Sequence, residues 1–73
     1  MKYVREVIVV SPRRVEILLN DGKEIVFVID RNGGFQWAAK TDFIEKSAYQ
    51  EACQAAGEKF AEIKKLLQQQ VAA

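Results

Sequence analysis

The sequence predicts an α+β fold: an antiparallel β-meander of three to four strands followed by one long C-terminal amphipathic helix packed on one sheet face. Two observations carry this prediction. Runs rich in β-branched residues, separated by turn sequences, fill residues 3–38. Residues 42–70 are dominated by Glu, Lys, Gln, Ala and Leu, with apolar residues recurring at three- and four-residue steps. A chain of 73 residues is expected to form one domain, residues 1–73.

The first strand is expected over residues 3–10, which contain four valines and an isoleucine. It ends at Ser11-Pro12-Arg13, because proline has no backbone N–H to donate to a neighbouring strand. This turn leaves open which side chains of the strand face the helix, Val7 and Val9 or Ile8 and Val10.

Asn20-Asp21-Gly22 lies between two apolar runs and predicts a tight hairpin. A three-residue loop with Gly22 in the left-handed conformation pairs Leu19 with Lys23. That register is favoured because a slip of one residue would mix apolar and polar side chains on both faces. It places six apolar residues on one face: Val15, Ile17, Leu19, Ile25, Phe27 and Ile29.

A second turn is predicted at Asn32-Gly33-Gly34, again as a three-residue loop. With this loop, Ile29 is predicted to pair with Trp37. A short fourth strand is predicted over residues 34–38. Phe35 and Trp37 are then expected on the apolar face, among the core residues.

The helix is predicted to begin with Asp42 as N-cap, because Glu45 three residues later completes a capping box. Gly57 lies in its middle, without a proline or a turn cluster beside it. We therefore expect a continuous or merely kinked helix, and a break at Gly57 with a folded-back end is the alternative. A continuous helix of about 45 Å would extend past strands of ~20–25 Å.

Composition excludes several functional classes. With one cysteine and no histidine, an intrachain disulfide is impossible and a zinc site is not expected. No cofactor and no enzymatic activity are predicted, since no cluster of side chains supplies a general base at neutral pH. Apolar runs are too short to span a membrane, and no signal-peptide core is present, so a cytoplasmic location is expected.

Two surpluses of apolar surface predict a partner. One helix covers one face of a sheet, so apolar residues on the other face remain uncovered. The second half of the helix also stays apolar where it passes the sheet. We therefore predict a small non-enzymatic protein–protein interaction module, a homodimer, with an unknown protein as another possible partner. The predicted contact residues are Leu18, Val26, Val28, Phe60, Ile63, Leu66 and Leu67.

The alternative function is nucleic-acid binding through the sheet and the basic Arg13-Arg14 loop. Phe35 and Trp37 would offer stacking surfaces to unpaired bases. The net charge of +1 and the interleaved acidic residues weaken this prediction. Its candidate contact residues are Arg5, Arg13, Arg14 and Arg31.

Overall fold

Four antiparallel strands and one C-terminal helix form the fold, which confirms the predicted α+β class. The computed structural model describes residues 1–40 and 43–72. The strands follow one another in the sheet in chain order. The elements are β1 (Val4–Ser11), β2 (Arg14–Leu19), β3 (Glu24–Ile29), β4 (Phe35–Ala39) and α1 (Lys46–Ala72).

The β2–β3 hairpin has the predicted register. The Leu19 backbone N–H donates to the Lys23 carbonyl at 2.8 Å, and Ile17 pairs with Ile25. Gly22 adopts φ +89°, the left-handed conformation that closes the three-residue loop. The six apolar residues predicted for one face all lie there, and five of them are buried.

The predicted register of the β3–β4 hairpin is wrong by two residues. The loop is Arg31-Asn32-Gly33, closed by the Asp30 N–H donating to the Gly34 carbonyl, and Trp37 pairs with Phe27 instead of Ile29. The Asp30 carboxylate explains the shift, because it accepts hydrogen bonds from the N–H groups of Asn32 and Gly34. A shift of two residues preserves the faces, so Phe35 and Trp37 remain on the side of the helix.

The structure decides which side of β1 faces the helix. Val7 pairs with Ile17 and Val9 with Val15, so these two valines lie on the apolar face. Ile8 pairs with Glu16 on the opposite face. Register shifts occur next to Arg5 and Val10, each of which is an extra residue in this edge strand.

Helix α1 reaches the sheet through small side chains. Ala52 and Ala56 are completely buried, and Ala48 and Ala55 nearly so. The helix packs against β2 and β1, to one side of the sheet's middle. Phe35 and Trp37 on β4 are consequently about half exposed, although both were expected in the core. They keep partial cover from Phe60 and Tyr49, with ring centroids 5.9 and 4.7 Å apart respectively.

The helix begins at Lys46, later than the predicted start at Asp42. Asp42, the predicted N-cap, lies outside the described residues. The Glu45 carbonyl accepts the first helical hydrogen bond, from the Tyr49 N–H at 2.9 Å. Glu45, and not the predicted Asp42, is therefore the residue that precedes the first residue of the helix.

The helix continues without a break through Gly57 to Ala72, as the favoured alternative predicted. Its 27 residues correspond to about 40 Å, which matches the longest dimension of the molecule, 43 Å. Strands of five to eight residues cannot support this length. Residues 61–72, here called the overhang, form the end of the helix, where Ile63 packs against the core and the other side chains up to Gln69 are exposed.

Replacing Gly57 by alanine is expected to stabilise the protein by about 1 kcal/mol, because alanine restricts the unfolded chain and favours a helix. A Cβ atom built at Gly57 meets no other atom within 4 Å, so nothing opposes the added methyl group. Urea unfolding of the variant measures the change. The matched control is Gly22→Ala, where the positive φ should make the same substitution destabilising. A loss of stability in Gly57→Ala would contradict the observed geometry.

Candidate interaction surfaces

The sheet face opposite the helix, here called the open sheet face, carries three of the predicted contact residues. Leu18, Val26 and Val28 lie on it, and each is only partly exposed. Ile8 adds a side chain that is 38% exposed. An apolar strip therefore crosses three strands on the side that α1 leaves uncovered.

Charged neighbours cover part of this strip. The Arg14 guanidinium lies 3.4 Å from the Glu16 carboxylate, and the Lys40 ammonium lies 2.7 Å from the Glu24 carboxylate. The hydrogen bond with Glu24 raises the pKa of Lys40. The aliphatic stems of such side chains shield apolar surface while their charges stay in water. Burying this face in an interface would therefore also require removing these ion pairs from water.

The second surface is a mostly apolar groove of about 710 Å³ between the overhang and the adjacent end of the sheet, here called the helix-end groove. Pro12 and Ile29 line it from the sheet. Phe60, Ile63 and Leu67 line it from the helix, while Arg13 and Lys64 contribute two positive charges. The groove lies where side chains of the helix and of the sheet end line a common concavity.

The predicted helical contact residues do not all have the same exposure. Phe60 is buried in the core of its own chain, where its edge meets the Phe35 ring. Ile63 is partly buried, whereas Leu66 and Leu67 are 52% and 44% exposed. Pro12 and Ile29, which sequence analysis did not select, complete this surface. The predicted turn at Pro12 was the only feature of the sequence that pointed to this surface. The path of the helix over the sheet, which brings these residues together, has no local sequence pattern.

The four predicted nucleic-acid contacts do not form one cluster. Arg13 and Arg31 lie in the two turns at the same end of the sheet, and Arg14 begins β2 nearby. Arg5 lies near the opposite end, where β1 pairs with the end of β2. Arg14 is also paired with Glu16. The structure thus gathers three arginines, one of them in an ion pair, and separates the fourth.

A carboxylate on the helix holds the start of the sheet. The Glu51 carboxylate accepts hydrogen bonds from the backbone N–H groups of Lys2, Tyr3 and Val4 at 2.9, 2.7 and 2.6 Å. Burial raises the pKa of Glu51, but the three hydrogen bonds outweigh it and the net pKa is lowered. These hydrogen bonds are stronger when the carboxylate is ionised, so the strength of the contact depends on pH.

Stability contributed by Glu51 is expected to disappear in acid. Because its pKa is lower in the folded state, this contribution is present above the ordinary glutamate pKa of about 4.3 and is lost as pH falls through the folded pKa. Urea unfolding of Glu51→Gln and of the original chain at about pH 7 and about pH 3 tests this. At about pH 7 the original chain should be more stable than Glu51→Gln. This difference in the free energy of unfolding should be smaller at about pH 3. An equal difference at both pH values would contradict the role of the ionised carboxylate.

Within residues 1–40 and 43–72, no group of three or more metal-ligating side chains lies together. Cys53 is a free thiol, partly buried on the helix. The same part of the chain contains no helix with the length and hydrophobicity needed to cross a membrane.

The fold and the two surfaces define this chain as a small sheet-and-helix domain with uncovered apolar surface. No protein-family model matches it. Comparison with curated proteins and with solved structures likewise finds no significant similarity. Any functional assignment therefore depends on the geometry of the chain itself.

Proposed function

We propose that this protein is a small, non-enzymatic protein–protein interaction module of the cytoplasm that functions as a homodimer. The supporting observation is the amount of surface that the single chain exposes. Its accessible area is 5239 Å², whereas a compact monomer of 8.3 kDa is expected to expose about 4,600 Å². The excess of roughly 650 Å² approaches the ~800 Å² that each partner buries in a standard interface.

The chemical character of the surface supports the same proposal. Leu66, Leu67, Ile8, Val9 and Val10 are each at least 38% exposed. Exposed aliphatic side chains in β1 and at the end of α1 are typical of binding surfaces, because apolar surface is costly to leave in water. A symmetric dimer covers such a surface twice with one contact, and dimers are the commonest oligomers.

Light scattering coupled to size-exclusion chromatography tests the proposal. A chain of 8.3 kDa should give twice that mass, with a shift towards the monomer mass on dilution. The measurement is repeated over about a hundredfold range of concentration and at two salt concentrations, since an apolar interface should be insensitive to salt. A constant monomer mass at every concentration would contradict self-association.

A further inference from the structure

We infer that the helix-end groove of one chain receives the overhang of a second copy, so that two C-terminal helical halves pack antiparallel about a two-fold axis. This inference rests on the proposed self-association and specifies the surface through which it occurs. The overhang would then act both as the ligand of the partner's groove and as one wall of its own groove.

The shape of the molecule assigns the excess surface to the overhang. The radius of gyration is 12.9 Å, whereas a compact chain of this length is expected to have about 11 Å. The elongation follows one axis, since the molecule measures 43 Å along its longest dimension and only 25 and 17 Å along the others. The long axis matches the length of α1. The end of the helix therefore adds exposed surface at one end of the molecule, including the side chains of Leu66 and Leu67.

The helix-end groove and the overhang meet the symmetry requirement of a two-fold contact. Such a contact uses the same patch on both chains, so the patch must be complementary to itself. The groove offers an apolar concavity beside Ile63 and Leu67, and the overhang presents Leu66, whose side chain is 52% exposed. Both features lie at one end of the same chain. In the proposed dimer a half turn relates the two copies, so that each overhang lies against the groove of the other.

Helix physics favours the same arrangement. Most helical stability in proteins comes from packing an apolar face, and a short helical segment in water is marginal. The apolar stripe of α1 does not end with the buried Phe60 but continues through Ile63 to Leu67. At the end of that stripe, Leu66 and Leu67 remain about half exposed within the single chain. A second overhang supplies the missing apolar surface without any further element.

The open sheet face is the competing surface, and its charges count against it. Leu18, Val26 and Val28 keep only part of their surface exposed. The Arg14–Glu16 and Lys40–Glu24 pairs stand among them and would lose water in a sheet-to-sheet contact. The helix-end groove has its charges, Arg13 and Lys64, beside a largely apolar lining. Arg13 and Lys64 are exposed, and their long side chains can keep the charges in water while the apolar lining is covered.

The test compares two matched substitutions that place a lysine on either surface. Leu67→Lys puts a charge in the helix-end groove beside Lys64, where the partner's positive charges would repel it. Val26→Lys puts the same group on the open sheet face, opposite Glu16. Analytical ultracentrifugation measures the dimer dissociation constant of each. We expect Leu67→Lys to raise it on the order of 100-fold and Val26→Lys to change it by less than about threefold.

A cross-linking experiment tests the geometry independently of any loss of folding. In a Cys53→Ser background, Gln68→Cys places a thiol at the groove and Val26→Cys places one on the open sheet face. A short bis-maleimide should join two Gln68→Cys chains and leave Val26→Cys chains separate. Circular dichroism confirms that both variants keep the helix.

The outcomes separate the inference from the proposed function. A monomeric original chain overturns both. A dimer that is lost in Val26→Lys, retained in Leu67→Lys and cross-linked through Val26→Cys overturns the groove contact but leaves self-association standing. A dimer lost in Leu67→Lys and cross-linked through Gln68→Cys supports both.

Discussion

Replacing Phe27 by alanine is expected to destabilise the protein by about 3–5 kcal/mol, the largest effect of any single truncation considered. Phe27 has no exposed surface and is the largest of the fully buried side chains. Its ring stacks on the Phe35 ring at a centroid distance of 5.3 Å. Substitution by alanine therefore removes this aromatic contact and also leaves the volume of the ring unfilled. A chain of 73 residues has a total stability of roughly 4–11 kcal/mol. The loss is a large fraction of this total, so the variant should unfold at a much lower urea concentration than the original chain.

Urea unfolding followed by circular dichroism measures this loss, and thermal melting gives an independent value. Phe43→Ala is the matched control, because Phe43 is 70% exposed and loses the same atoms. We expect the control to cost less than about 1 kcal/mol. If Phe27→Ala and Phe43→Ala were equally harmful, the sheet–helix core could not be centred on β3.

Replacing Ala52 by leucine is the second change with a large expected effect, a loss of about 1–3 kcal/mol. Ala52 has no exposed surface where α1 meets the sheet, and Ala56 one turn later is equally buried. The added branched side chain would have to displace the helix from β2 and β1 or adopt a strained rotamer, because a packed interior has no spare volume. Ala52→Leu is expected to increase the distance between helix and sheet, whereas Phe27→Ala leaves a cavity in the core.

Gln50→Leu controls for the general effect of adding leucine to this helix, since Gln50 is exposed on the same element. Denaturant unfolding should show a small change in Gln50→Leu and a clear loss in Ala52→Leu. An unchanged unfolding midpoint in Ala52→Leu would mean that the helix is not held closely by its small residues. Combining Ala52→Leu with Phe27→Ala would further show whether the cavity relieves the crowding, because neighbouring core changes are not additive.

The hairpin registers show how much of the sheet a sequence can specify. Asn20-Asp21-Gly22 was assigned correctly because only one loop length keeps six apolar residues on one face. At the next turn, two neighbouring glycines allowed two loops displaced by one residue, whose strand pairings differ by two residues and leave the faces unchanged. Periodicity cannot distinguish them. In the observed loop Gly33 is the last residue and has a positive φ. This loop is selected because the Asp30 carboxylate accepts hydrogen bonds from the backbone of the turn.

The candidate surfaces were only partly predictable for a related reason. The open sheet face follows from strand alternation, so Leu18, Val26 and Val28 could be placed on it from the sequence. The helix-end groove is lined by Pro12 and Ile29 from the sheet and by Leu67 from the helix, which lie far apart in the chain. Their meeting depends on the direction in which the helix crosses the sheet. That direction follows from side-chain volumes on both elements and has no local sequence signature.

The sequence by itself determined the type and order of the elements, the side of β2 and β3 that is buried, and the unbroken helix through Gly57. These properties follow from local preference and from alternation, which act between residues near one another in the chain. Only the tertiary structure decided that Val7 and Val9 face the helix, and that α1 lies over β1 and β2. Four buried alanines let the helix approach there, leaving Phe35 and Trp37 half covered. Close packing selected that position among several that the same apolar pattern permits.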